Sequence, residues 1–161
     1  MYGRTVLGVQ SQQPTTLLAC PDGEWKVGGI TIDWTTIAAV SGSDVTLDDG
    51  TVIQIGKKYL RFGQLMTKIT ASGKFGPYDP AASDGRQTLT RGECFLINQT
   101  IINTNVLGFN VDEIDFKGAL EGGTVFFDRL IQSGVGAASL AAGPTLANLN
   151  TVFPRLRYMK N

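Results

Sequence analysis

The chain has 161 residues, 42% of them hydrophobic and only 17% charged, with 14 basic side chains balanced by 14 acidic ones and no histidine. That length suits one domain, or one domain with an arm, and is enough to bury a core without metal or disulfide staples. Zero net charge argues against a general nucleic-acid binder, and the missing imidazole removes Ser-His-Asp and Cys-His nucleophiles and HExxH zinc sites. So few charges predict association with a partner.

In chain order, residues 4–9, RTVLGV, have strand character and precede the polar stretch SQQPTT. Such a segment can add a strand to another protein's sheet edge, or form an edge of its own domain. WKVGGITID, 25–33, reads as a strand pair or a bulged strand, with Gly28-Gly29 at the turn or bulge. DVTLDDGTVIQI, 44–55, is the clearest hairpin: Val45 and Leu47 alternate with polar residues, Asp49-Gly50 favours a tight turn, and Val52, Ile53 and Ile55 return. KKYLRFGQLMTKIT, 57–70, holds two strands either side of Gly63. GPYDPAASDGR, 76–86, is a loop with two prolines and an Asp-Gly turn. CFLINQTII, 94–102, is an apolar run suited to a strand buried on both faces. FNVDEIDF alternates imperfectly, and TVFFDRLI, 124–131, reads as another strand. After Ser133 the segment GVGAASLAAGP is a small-residue linker. TLANLNTVF then places Leu146, Leu149 and Phe153 at helical spacing, with Thr145 as cap and Pro154 as stop. The basic end, RLRYMKN, is expected to cap the body or to lie along a neighbouring subunit. The fold class is therefore mainly β, divided into an arm (1–24), a β-rich domain (25–133) and a linker, short helix and tail (134–161).

The chemistry-bearing candidates are few. Asp112, Glu113 and Asp115 are the best placed for acid-base or metal work, and on a strand Glu113 and Asp115 share one face. Their spacing matches neither a calcium loop nor a named hydrolase motif, and a polar strand face accounts for them. GVGAAS lacks the third glycine of a dinucleotide loop, and no P-loop is present. Lys57, Lys58, Arg61 and Lys68 form a basic group, but the interleaved Tyr59 and Phe62 read as core. Cys20 and Cys94 form no CxxC and are expected to act as small apolar residues. No apolar run is long enough to span a membrane, and MYGRTVLGVQSQQP lacks a signal-peptide core. No catalytic group, cofactor or metal is expected. Charge alternates in blocks: residues 1–50 carry two basic and six acidic side chains, 51–91 seven and two, 92–128 one and six, and 129–161 four and none. Such blocks either cluster on solvated faces or meet across subunits and set register.

From Gly56, the stretch GKKYLRFGQLMTKITASGKFGPYDPAASDGRQTL resembles the head decoration, or capsid cement, proteins of tailed bacteriophages, the lambda-like family. The resemblance rests on the order of pieces: a strand ending in a Gly step (Gly63), a Ser-Gly-Lys turn (Ser72-Gly73-Lys74), an aromatic and Pro-Tyr-Asp-Pro loop (Phe75, Pro77-Tyr78-Asp79-Pro80) and an Asp-Gly turn (Asp84-Gly85-Arg86). GGITIDW, 28–34, and PRLRY, 154–158, look like features of longer members. The resemblance implies a compact β-barrel or β-tulip-like body with an extended N-terminal arm and a short C-terminal helix. It also implies a homotrimer on three-fold and quasi-three-fold sites of an expanded phage head, made in the bacterial cytoplasm and carried on the outer surface of the virion. The partner is then the major capsid protein, with no nucleic acid or membrane involved and no enzyme activity. On that reading Arg4, Thr5, Val6, Leu7 and Val9 form the capsid-binding arm. Trp25 and Trp34 read by default as half-buried core, with a contact surface as the alternative; on the family reading they anchor the N-terminal segment, and Arg155, Arg157 and Tyr158 make subunit contacts. The alternative is a carbohydrate- or receptor-binding β-domain of a phage tail or surface protein.

Overall fold

The computed structural model of the chain describes residues 17, 22–47, 50–104, 110–126, 130 and 146–159. They form a mainly β fold, a curled sheet with one short helix near the C-terminus. The strands are β1 (Glu24–Trp25), β2 (Ile30–Asp33), β3 (Val45–Thr46), β4 (Val52–Ile53), β5 (Lys58–Leu60), β6 (Leu65–Lys68), β7 (Phe75–Pro77), β8 (Cys94–Ile97), β9 (Ile101–Asn103), β10 (Glu113–Phe116), β11 (Ala119–Phe126) and β12 (Leu156–Met159), with helix α1 at Leu146–Val152. The main sheet runs β1-β11-β8-β6-β7-β2-β10, and β12 joins β11 in parallel.

Register explains the curl. β2 pairs with β10 from Ile30↔Phe116 to Asp33↔Glu113, and β1 pairs with β11 at Trp25↔Leu120 and Glu24↔Gly122. The two pairs share one register to within a residue, so 24–33 and 113–122 form a single antiparallel ribbon broken at a glycine turn. The β1–β11 half of that ribbon joins β8 at one end of the sheet path, and the β2–β10 half joins β7 at the other end. Chain continuity therefore bends the sheet round on itself.

Period-two alternation fills both sides of the central strands. Leu65, Cys94, Leu96 and Leu120 face a cluster containing Leu149, Val152 and Phe153 of the α1 region and Leu156 of β12. Met66, Phe95, Ile97 and Ala119 face a second cluster with Ile30, Ile32, Trp34 and Phe116. All four residues of β8 are buried, as the apolar run predicts. A third cluster, Val40, Leu47, Ile53 and Tyr59, lies beneath the separate β3–β4 hairpin. That hairpin pairs Val45 with Ile53 and Thr46 with Val52, as expected. The helix also forms as expected and ends before Pro154. Thr145 and the small-residue linker lie outside the described residues.

Residues 25–33 take the bulged-strand form of the expectation: β1 and β2 run in one register against β11 and β10, interrupted at the Val27-Gly28 turn. Two expectations need correction. The run 94–102 is two strands, interrupted at Asn98–Thr100 so that β9 can leave the main sheet and pair with β5. The strand placed at 124–131 begins earlier, at Ala119. The terminal RLRY segment is a strand that pairs with β11 of its own chain, the first of the two placements expected for it.

Candidate functional site

The Gly63–Arg86 series folds as one unit. The Gly63 amide donates to the Ile97 carbonyl at 2.7 Å, which starts β6 against β8. β6 and β7 then form a hairpin whose turn is closed by Ile69 N–H to Lys74 O at 2.8 Å and Gly73 N–H to Ile69 O at 2.9 Å. The following loop runs back beside β6. Thr70 N–H donates to Asp84 O at 2.8 Å, and the Thr67 hydroxyl donates to Arg86 O at 2.8 Å. The Arg86 Nε bonds the Asp84 carboxylate at 2.9 Å, while its Nη1 reaches Pro77 O at 3.4 Å. A Cβ at Gly85 would collide with the Thr70 hydroxyl and Lys68 O, so only glycine permits this approach. Burial alone would raise the Asp84 carboxyl, but the bonds from Arg86 outweigh it and hold the group below its usual range. Tyr78 is buried against the α1 cluster and fixes the loop from beneath. A polar cleft beside the loop is lined by Lys68, Thr70, Gly85, Thr88, Thr90 and Glu93, with Lys68 and Glu93 bridged at 2.7 Å.

The acidic residues around β10 are placed as a polar strand face. Glu113 and Asp115 share the exposed side. Glu113 pairs with Lys74, and Asp115 accepts from the Thr31 hydroxyl at 2.7 Å. Asp112 contributes its backbone carbonyl to the Trp34 amide. Among the described residues no three potential metal-ligating side chains gather. Tyr59 and Phe62 are buried, so neither is presented for stacking beside the nearby lysines.

The proposed contact residues fare differently. Arg4, Thr5, Val6, Leu7 and Val9 lie outside the described residues, as does Cys20. Trp25 is 41% exposed on β1. Trp34 is not a surface anchor: it is fully buried in the second core cluster, because the 3-10 turn Trp34–Thr36, capped by the Asp33 carboxylate, rolls the ring inward. Arg155 bonds within its own chain, Nη1 to Glu24 at 2.6 Å and Nη2 to Glu121 at 2.9 Å. Arg157 is exposed on β12, and Tyr158 is half-buried against the α1 cluster, where burial pushes its hydroxyl up to about 12. Burial likewise pushes the Cys94 thiol up to about 11, consistent with a small core residue.

Sequence reasoning missed the group that ties the two chain ends to β11. Asp22 accepts from the Thr124 amide at 2.9 Å and from its hydroxyl at 2.6 Å. The hydroxyl bond and then the amide bond hold the Asp22 carboxyl below its ordinary value. Gly122 lies between Glu24 and Arg155, where a Cβ would meet both. No local signal marks these partners, which lie far apart in sequence. No family model, curated protein or solved structure matches the chain.

Proposed function

We propose that the chain is a virion structural protein, a homotrimeric capsid decoration protein that binds the expanded phage head at its three-fold and quasi-three-fold sites. The observation that supports this reading is the unity of the Gly63–Arg86 region. The pieces whose order carries the resemblance are neighbouring connections of one hydrogen-bonded substructure, built on a curled β body. The body acts by contact, not by chemistry. Arg4, Thr5, Val6, Leu7 and Val9 add a strand to the major capsid protein, and Trp25 contributes an apolar contact. Binding only the expanded lattice stabilises that state by its differential affinity, and many trimers bridging several capsid subunits act together against internal DNA pressure. The site of action is the outer surface of the virion, without contact to nucleic acid or membrane.

Co-sedimentation of the purified protein with undecorated shells of the cognate capsid protein tests the reading. Binding to expanded shells and not to unexpanded ones is expected. Equal binding to both, or to neither, contradicts it. Half-exposed Trp25 also favours a second reading, a carbohydrate- or receptor-binding β-domain, since such a ring can stack on a sugar face. Saturable binding to host surface glycans, lost on Trp25→Ala, together with no shell binding, would support that reading instead.

A further inference from the structure

The exposed large apolar side chains among the described residues are Trp25, Val27, Val52, Ile55, Leu146 and Met159. The first four fall in two places, at opposite ends of β10. At one end, Lys117 follows β10 and donates from Nζ to Gly28 O at 2.7 Å, holding the turn that carries Val27. That turn is also closed by Gly29 N–H to Lys26 O at 2.9 Å and anchored by Lys26 N–H to Ala119 O at 2.9 Å. Val27 is 91% exposed on it, with Trp25 beside it. At the other end, Asn110 precedes β10 and donates from Nδ2 to Gly56 O at 2.7 Å, at the foot of the β3–β4 hairpin that presents Val52 and Ile55. Six residues, four of them in β10, lie between Asn110 and Lys117, a span of at most on the order of 20 Å.

The two patches are complementary in charge. Residues 25–32 and 116–120 contain Lys26 and Lys117 and no acid, and the adjoining Glu24 and Glu121 are both paired with Arg155. Residues 44–56 contain three aspartates and no basic residue. Of these, Asp44 lies directly at the second patch, where its carboxylate accepts from the Ile55 amide at 2.9 Å. A fixed, protruding turn that exposes a valine and a tryptophan is pre-organised for docking and loses little freedom when it binds.

Resting on the homotrimer reading, we propose that the Trp25–Val27 turn of one copy docks on the Val52–Ile55 segment of the β3–β4 hairpin of the next. The two patches differ and lie at opposite ends of β10, so the contact is head to tail. Three such contacts close a ring, with Lys26 and Lys117 set against the acidic hairpin to fix its direction.

Sedimentation of the full chain tests this with Val27→Asp, Ile55→Asp and their equimolar mixture. The wild type is expected as a trimer and each variant as a monomer. Each variant keeps one intact face, so the mixture is expected to form a one-to-one dimer that cannot close. If the wild type is trimeric and either variant stays trimeric, the docking is wrong and the trimer stands. If both variants are monomeric and their mixture stays monomeric, the head-to-tail contact is wrong. A monomeric wild type overturns the trimer reading itself. Circular dichroism reads the fold of each variant. Should an Asp variant melt early, Val27→Ser and Ile55→Ser are expected to weaken association at least tenfold with the fold retained, and unchanged association would overturn the proposal.

Discussion

The carboxamide of Asn103 holds both backbone groups of Val111: Nδ2 donates to its carbonyl at 2.7 Å, and Oδ1 accepts from its N–H at 2.9 Å. Asn103 ends β9 and is fully buried. One side chain thus replaces a strand partner and fixes the position of Val111 ahead of β10. Asn103→Ala removes both bonds and leaves two polar groups short of partners. Unfolding in urea is expected to show a loss of roughly 2–4 kcal/mol. A loss within about 0.5 kcal/mol would mean that Val111 finds other partners.

Gly28 and Gly29 both have positive φ, +82° and +78°, but differ in their surroundings. Nothing lies within 4 Å of a Cβ at Gly28, whereas at Gly29 it would strike the Phe116 carbonyl oxygen and press on Lys117. Gly28→Ala is expected to cost about 1–2 kcal/mol, the cost of the backbone conformation alone. Gly29→Ala adds a steric clash in the ribbon and is expected to cost at least about 1 kcal/mol more, read from paired thermal melts. Equal costs would contradict the close approach of β10 at that point.

Acid is expected to destabilise the fold through two carboxylates. Asp22 and Asp84 both titrate below the ordinary value of 3.8 in the folded chain. A depressed carboxyl contributes stability above its unfolded value, and that contribution is lost as pH falls through the folded value. The melting temperature should therefore drop as pH falls from about 5 toward 2. The Asp22→Asn, Asp84→Asn double variant should show a shallower drop over the same range. An identical profile in the two proteins would remove these groups from the acid response.

Much of the architecture was legible because local and tertiary preferences agree. Gly63 separates β5 from β6, the β3–β4 hairpin forms, and Leu149 and Val152 bury the helix, while Leu146 stays exposed. β8 was legible as a doubly buried strand because four successive apolar residues leave no solvent face. β12 was not, although Leu156 and Tyr158 alternate with Arg157. Its partner is a parallel strand about thirty residues earlier, and no turn signal announces such a pairing. The start of β11 was hidden by Gly122-Gly123, residues that weaken strand propensity but admit Glu24, Arg155 and the Asp22 segment. Trp34 looked like an anchor because hydrophobicity alone does not show which way a short turn aims a ring. Trp25 kept its surface position, while Arg155 found its acidic partners inside its own chain.

The arm assignment makes a separable prediction. Deleting residues 1–13 should leave a trimer with an unchanged melting temperature but weaken binding to expanded shells at least tenfold, because strand addition supplies backbone bonds that the body cannot replace. Unchanged shell affinity would remove Arg4, Thr5, Val6, Leu7 and Val9 from the contact.

Electron cryomicroscopy of expanded shells incubated with the full chain decides whether the protein decorates capsids. Three copies of the curled β body are expected at each three-fold and quasi-three-fold site of the expanded lattice, with bare sites on unexpanded shells treated alike. Bare three-fold sites on expanded shells at saturating protein would contradict that role.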